Sequence, residues 1–322
     1  MNQIELRTVA ADEAEVRLDR WFRRHFPTLA HGRLEKLLRT GQVRVDGKRA
    51  KGSDRLAAGQ QVRVPPLSDL DRPAPKAAPR SDPREAEALR RRVLYRDAEV
   101  IGLDKPAGLA VQGGTKTEKH LDGMLDALAF EAAERPRLVH RLDRDTSGVI
   151  LLARTVAAAG WLTRAFARKE TTKVYLAVTV GVPKPREGRI DAPLAKLPGR
   201  AGERVAVDAE EGRRAVTEYV VLDQIADRAA LVACRPVTGR THQIRAHLAA
   251  LGTPILGDGK YGGAAARLEM EGVARQLHLH ARAIRLTAPS GRPIAVEAPL
   301  PPHFRQTLAA LGLDGRPRDP FL

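Results

Sequence analysis

Pro65, Pro66, Pro73, Pro75, Pro79 and Pro83 fall within one short stretch of the chain. Proline has no backbone N–H to donate and is excluded from helix interiors and from central strands. No regular element can run through such a stretch, so the parts on either side must fold around separate cores. Ala, Ser, Asp and Arg fill the gaps, and no apolar periodicity returns before Leu89. Residues 65–92 are therefore expected to be a semi-extended, mobile linker between a first domain, 1–64, and a second, 93–322. A chain of 322 residues suits two domains at roughly 150 residues each.

Charge separates the two parts further. The chain carries a formal net charge of +16. Between Arg17 and Arg63 there are 13 Lys or Arg against 4 Asp or Glu, so more than half of that surplus sits in those 47 residues. A cation excess of this size favours a polyanionic partner. A membrane is the weaker candidate, because no apolar run approaches the roughly 20 residues that span a bilayer. The opening MNQIELRTVAADEAE lacks the pattern of a signal peptide, and a cytoplasmic location is expected. The single cysteine, Cys234, excludes an intrachain disulfide and Cys-based zinc sites.

In the first domain Leu18, Trp21, Phe22 and Phe26 follow helical spacing up to Pro27. Leu34, Leu37 and Leu38 predict a second helix, stopped by Gly41. Val43-Arg44-Val45 with Asp46-Gly47 reads as a hairpin, and Val62 and Val64 as a last strand. The order Arg17-Leu18-Asp19-Arg20-Trp21, Gly32-Arg33-Leu34 and Gly41 to Gly47 resembles the αL-type RNA-binding domain first known from ribosomal small-subunit protein four. That resemblance implies phosphate contacts for Arg33, Lys36, Arg39, Arg44 and Lys48, which give affinity and register more than sequence readout.

From Val93 onward strands outnumber helices without βαβ repetition, which predicts an α+β domain around a mixed, largely antiparallel sheet. Strands are expected at 100–103, 149–153, 173–180, 216–222, 230–235 and 278–286, and helices at 121–132, 156–169, 242–251 and 304–311. Three stretches could carry chemistry. His140-Arg141-Leu142-Asp143-Arg144-Asp145-Thr146-Ser147-Gly148 is a polar loop feeding an apolar strand, where a rigid sheet can present a reactive side chain. It also reads as a plain turn with an Arg–Asp ion pair. Asp143 and Asp145 as a metal pair lack a supporting ligand set. Lys173-Val174-Tyr175-Leu176-Ala177 puts Tyr175 opposite an alternating apolar row, as a secondary-core residue or a stacking platform for an unpaired base. Thr238 to His247 opens a helix with Ile244, Leu248 and Leu251 as its buried stripe and Arg245 beside it. A partly buried arginine needs a carboxylate or phosphate partner. His242 and His247 have the wrong spacing for a zinc pair, and His278 and His280 share one strand face as structural histidines.

His140-Arg141-Leu142-Asp143 with Thr146-Ser147-Gly148 resembles the signature of the RluA-type pseudouridine synthases. Lys105-Pro106-Ala107-Gly108, Lys173 to Ala177, Ala215 to Tyr219, Gly239 to Arg245, Gly257 to Gly262 and Leu279-His280-Ala281 resemble that family in the same order. Asp143-Arg144-Asp145-Thr146 and Val111-Gln112-Gly113-Gly114 lean toward its RluC branch, which usually has histidine where Gln112 stands. The resemblance implies a pseudouridine synthase fold. It also implies isomerisation of uridine to pseudouridine in RNA, 23S large-subunit rRNA for this branch, without metal or organic cofactor. Asp143 is then the nucleophile, acting on ribose or uracil of a flipped-out uridine. Tyr175 would stack on the base and is a candidate for removing the carbon-bound proton. Arg245 would pair with Asp143 and favour its charged form, and Leu279 would pack on the base. His140 and Arg141 are expected to hold the loop or contact RNA. The expected partner is ribosomal RNA, with no membrane and no obligate protein partner, and the protein is expected to be a monomer. Two rivals are a non-catalytic RNA-binding assembly factor, which the joint presence of Asp143, Tyr175 and Arg245 opposes, and a metal-dependent nuclease using Asp143 and Asp145.

Overall fold

Leu18, Trp21 and Phe22 recur at helical spacing and are all buried, and Leu34, Leu37 and Leu38 meet them from a second helix. These residues form the core of the first of two units, Met1–Arg80 and Ser81–Leu322, into which the chain divides. The computed structural model describes residues 4–27, 29, 31–67, 82–113, 119–197, 204–314 and 320–321. The first unit runs β1 (Glu5–Thr8), α1 (Leu18–His25), α2 (His31–Arg39), β2 (Arg44–Val45), β3 (Lys48–Arg49) and β4 (Gln61–Val64). Its sheet has the order β1-β4-β2-β3, all antiparallel. Asp46 and Gly47 turn between β2 and β3 with φ of 49° and 75°, the left-handed pair that a tight hairpin demands. Strand β1 was not foreseen.

The expected linker ends early. Residues 83–90, within the stretch expected to be extended, form helix α3 (Pro83–Arg90). Asp82 accepts a hydrogen bond from Arg84 N, and Pro83 occupies the first helical turn. Proline there costs no hydrogen bond and presets φ, so it starts the helix instead of breaking it. Ala86 and Leu89 are buried on its inner side. The linker's residues 68–81 lie outside the described residues.

The second unit continues with β5 (Val93–Arg96), β6 (Val100–Lys105), α4 (Leu121–Met124), β7 (Arg137–Leu138), β8 (Ser147–Ala153), α5 (Val156–Arg168) and β9 (Thr172–Val180). Then come β10 (Glu187–Asp191), β11 (Leu194–Lys196), β12 (Val205–Val207), β13 (Val216–Ile225), β14 (Ala229–Pro236) and α6 (Gln243–Ala250). It closes with β15 (Leu279–Thr287), β16 (Pro293–Glu297) and α7 (Pro302–Leu311). The expected helix 121–132 stops short: a 3-10 turn follows α4 over 125–128, and Phe130 at φ 51° ends it. The expected strands are present, joined by the unforeseen β5, β7, β10, β11, β12 and β16.

A ten-stranded sheet runs β10-β13-β14-β9-β15-β8-β6-β5, with β16 on β15 and β7 on β8. Every pair is antiparallel except β8 with β15. It is therefore mixed and largely antiparallel, as the sequence led one to expect. β8 is buried along its whole length, which its unbroken apolar run requires of a strand covered on both faces. Val149 and Leu151 pack against Trp161 and Leu162 of α5, while Ile150 and Leu152 meet Leu103, Leu121 and Leu125 on the other side. Ile244 and Leu248 of α6 cover one face of β9 and β14; Phe304 and Leu308 of α7 cover the other.

β8 and β15 meet through Ser147 opposite His280 and Gly148 opposite Ala281. Gly148 has φ +106°, and a Cβ there would lie 2.2 Å from the Ala281 carbonyl oxygen. Any side chain must push the two strands apart. Gly148→Ala is therefore expected to destabilise the protein by at least about 3 kcal/mol in denaturant unfolding. Gly239→Ala, where a Cβ meets nothing within 4 Å, should stay near wild type.

Candidate active site

The loop between β7 and β8 is clamped at alternate residues. His140 accepts a hydrogen bond from Leu151 N at 2.8 Å through Nε2, and its ring packs on Phe166 at 4.4 Å. Leu142 is buried in the core beside Leu103 and Leu121. The Arg144 carbonyl accepts from both Lys105 Nζ and Gly108 N, each at 2.9 Å. Thr146 N closes the turn on the Asp143 carbonyl, and the Ser147 hydroxyl is 2.9 Å from His280 Nδ1. Asp143 sits between these anchors, so its backbone is fixed while its side chain stays 24% exposed. Arg141 and Arg144, its polar neighbours, face solvent.

Lys105 is a buried ammonium whose three protons reach the carbonyls of Pro106, Leu109 and Arg144. Burial pulls its pKa down to about 8, against the opposing charges of Asp145, Asp143 and Asp104. Burial likewise pushes His140 down to about 3, helped by the charge of Lys173. His140 is thus a neutral strut with Nε2 committed to the backbone of β8. It still borders the cleft, as does Arg141.

Arg245 enters from the first turn of α6. That helix start is held by a buried relay in which Gln243 Oε1 accepts from the Thr238 hydroxyl and Arg240 N. Gln243 Nε2 donates to Val216 O and to the Thr217 hydroxyl, which in turn is 2.9 Å from His247 Nδ1. His247 Nε2 faces the Ala192 carbonyl and must be its donor. Arg245 lies 3.6 Å from Asp143 Oδ2. Its closer partner is Asp258, which takes Nε and Nη2 in a two-pronged bond at 2.8 Å each. Asp258 is fully buried and also caps the amides of Lys260 and Tyr261. Burial alone would lower the Arg245 pKa, but the Asp258 bonds and charge, together with Asp143, raise it. The guanidinium is thus a permanent cation neutralised by one aspartate and shared with a second.

Residue-type reasoning gave no role to Asp258, His242 or Tyr261, although the run Gly257 to Gly262 stood out. His242 caps α6 in a left-handed conformation, φ 51°, the kind of strained position that gathers at functional sites. Tyr261 accepts at its hydroxyl from Val205 N, which leaves its own proton for His242 Nδ1 at 2.8 Å. The His242 proton then sits on Nε2, 3.8 Å from Asp143 Oδ2.

Asp143, Tyr175, Arg245 and Leu279 all border one cleft of about 1080 Å3. Leu279 is the buried first residue of β15, and Tyr175 lies on β9 in register with Ala281. The Tyr175 phenol is raised well above its ordinary value by burial and then by the charge of Asp143. It is a neutral donor while Asp143 is ionised. Arg141, Lys173, Arg189, Arg214, Arg235 and Arg240 also line the cleft, with Glu218 bound to Arg189 and Arg235 at 3.1 and 2.6 Å. Such a wall suits a polyanion threaded past an apolar floor. Asp143 and Asp145 gather no metal site: among the described residues no group of three or more His, Cys, Asp or Glu could hold an ion. In the first unit Lys36, Arg39, Arg44 and Lys48 are exposed and Arg33 is partly buried. Arg44 is folded onto its own hairpin, donating to Gly41 O and Gly47 O.

Residues 99–250 match the RNA pseudouridylate synthase family. Over 312 residues the chain is 36% identical to the ribosomal large subunit pseudouridine synthase C of Escherichia coli, covering 96% of this chain and 97% of that protein. The protein of the same name from Rickettsia conorii is 36% identical over 91% of this chain and 96% of its own length. The structure is similar to human RNA pseudouridylate synthase domain containing 4, with TM-score 0.62 and 32% identity over 73% of this chain and 98% of that one.

Three outcomes follow from these charges. Asp258→Asn strands the Arg245 charge and should cost about 3–5 kcal/mol in denaturant unfolding. Asp143→Asn leaves Arg245 paired and should cost under about 1 kcal/mol. Above pH 8 Lys105 loses the proton that serves its third carbonyl, so turnover should fall with an apparent pKa near 8. Its folded value lies below the ordinary 10.5, so its charge opposes folding at neutral pH, and that cost is relieved between about 8 and 10.5. The rate and the Lys105 share of stability should therefore move in opposite directions, and Lys105→Met should lack the alkaline limb.

Proposed function

The chain belongs to the RluA-type RNA pseudouridine synthases, which isomerise uridine to pseudouridine, and we propose that it does so on large-subunit ribosomal RNA with Asp143 as nucleophile. The observation that carries the proposal is the Asp143 carboxylate held beside Arg245 in a cation-lined cleft whose floor includes Tyr175 and Leu279. The substrate class rests on relatives that are ribosomal large subunit pseudouridine synthases over nearly the whole chain.

Isomerisation leaves the atoms and electrons of the nucleotide unchanged. The bond from N1 to the ribose C1′ breaks, the uracil turns, and C5 bonds to C1′ while its hydrogen leaves as a proton and N1 takes one up. A carboxylate that attacks ribose or uracil divides this into easier steps through a covalent adduct. The base must leave the helical stack to reach a cleft of this shape, so the uridine is flipped out. Arg245, anchored by Asp258, steadies the carboxylate through charge and stays put when Asp143 is consumed. Tyr175 stacks on the base and holds its proton while Asp143 is charged. Once an adduct neutralises Asp143, one of the two causes of the raised phenol pKa is gone, so Tyr175 releases its proton to solvent more readily and, as the phenolate, can accept the C5 proton. The +9 balance of residues 17–63 supplies sequence-independent affinity through phosphate contacts.

The test uses large-subunit rRNA carrying tritium at uracil C5, which pseudouridine formation releases to water. Wild type should release it, and Asp143→Asn should release none while binding RNA within about twofold of wild type. Release by the variant would remove Asp143 from the chemistry. Deleting residues 1–64 should weaken rRNA binding and flatten its salt dependence; an unchanged slope would deny the first unit its RNA-binding role.

A further inference from the structure

A second cavity, of about 560 Å3, lies against the first. The two share Asp143, His242 and Arg245, which thus form a wall with open volume on both sides. Tyr175 and Leu279 border only the larger cleft, whereas Arg144, Lys260 and Arg275 border only the smaller. The smaller cavity has no Phe, Tyr or Trp among its lining residues, and part of its surface is backbone at Gly108 and Gly259. Of its carboxylates, Asp258 is consumed by Arg245, and Asp145 is 3.2 Å from Arg144. Arg275 has no ion-pair partner among the described residues.

On the reading above, the reacting C1′ must sit at Asp143. Its base extends to one side, toward Tyr175 and Leu279. The ribose carries its two phosphodiesters away from that base, so at least one leaves across the Asp143 wall. We infer that the smaller cavity is a backbone site that binds the sugar-phosphate strand beside the flipped uridine, with Lys260 and Arg275 as its phosphate ligands. This assigns the strand a route over Asp143, with the base on one side and a phosphate on the other. It rests on the proposed nucleophile. Lys105 and Gly108 contribute by fixing the Arg144 carbonyl, which makes one wall of this cavity rigid.

Gly259 offers a way to block the cavity without disturbing the fold, since a Cβ there meets nothing within 4 Å and its φ is not left-handed. The experiment measures tritium release from large-subunit rRNA against salt for the full chain, the double variant Lys260→Ala with Arg275→Ala, and Gly259→Leu. The double variant should raise KM about tenfold or more with kcat within about twofold, and should reduce the salt slope of log KM by about 1 to 1.5, as lost phosphate contacts require. Gly259→Leu should melt like wild type yet lose about tenfold or more in kcat/KM. If both variants keep wild-type KM and slope while wild type is active, the backbone site is wrong. A raised KM with an unchanged slope also overturns it, because the cavity would then bind an uncharged part of the RNA. Absence of release by wild type itself would instead strike the underlying reading of the function.

Discussion

The second unit is organised around the approach of two strands that run the same way. β8 and β15 are the one parallel pair in an otherwise antiparallel sheet, and they come so close at Gly148 that a methyl group would overlap the Ala281 carbonyl. That contact sets the positions of the residues around it. Asp143 lies on the loop entering β8, Leu279 begins β15, and Tyr175 pairs with Ala281 from the other side of β15. Three side chains from distant parts of the sequence thereby border one cleft. The Ser147–His280 bond fastens the same pair of strands with a buried polar contact.

The electrostatics of the cleft follow a division of labour between two aspartates. Asp258 is wholly buried and binds Arg245 in two-pronged geometry, which satisfies a guanidinium that would otherwise be costly to bury. Asp143 is farther away and partly exposed, so it benefits from the same charge without being locked to it. A carboxylate bound in two-pronged fashion would have to break that bond before reacting, whereas the Asp143 carboxylate stands outside any such bond.

Much of the local structure was legible. The helices of the first unit follow from Leu18, Trp21 and Phe22 and from Leu34, Leu37 and Leu38, because burial of an apolar stripe at helical spacing is a local property. The β2–β3 hairpin follows from Asp46-Gly47 for the same reason. The short edge strand β10 was missed, since Glu187–Asp191 is mostly polar and its partner β13 lies far on in sequence, and β16 was missed because only Ile294 and Val296 mark its alternation. Helix α3 was missed because Pro83 was weighed as a breaker, although at the first helical turn, behind Asp82, it is a starter. Arg245 was singled out as an arginine needing an anion, but spacing could not choose Asp258 over Asp143.

The sequence by itself determined the basic stretch 17–63, the α+β character of the second unit, and the motif residues that mark its family. Those are properties of short windows or of motif order, and they survive without coordinates. The tertiary structure decided which carboxylate holds Arg245, that Lys105 is a buried strut under the Asp143 loop, and that Asp143 stands between two cavities. Each depends on long-range packing at ångström scale, where one close strand contact chooses among partners that look equivalent in one dimension.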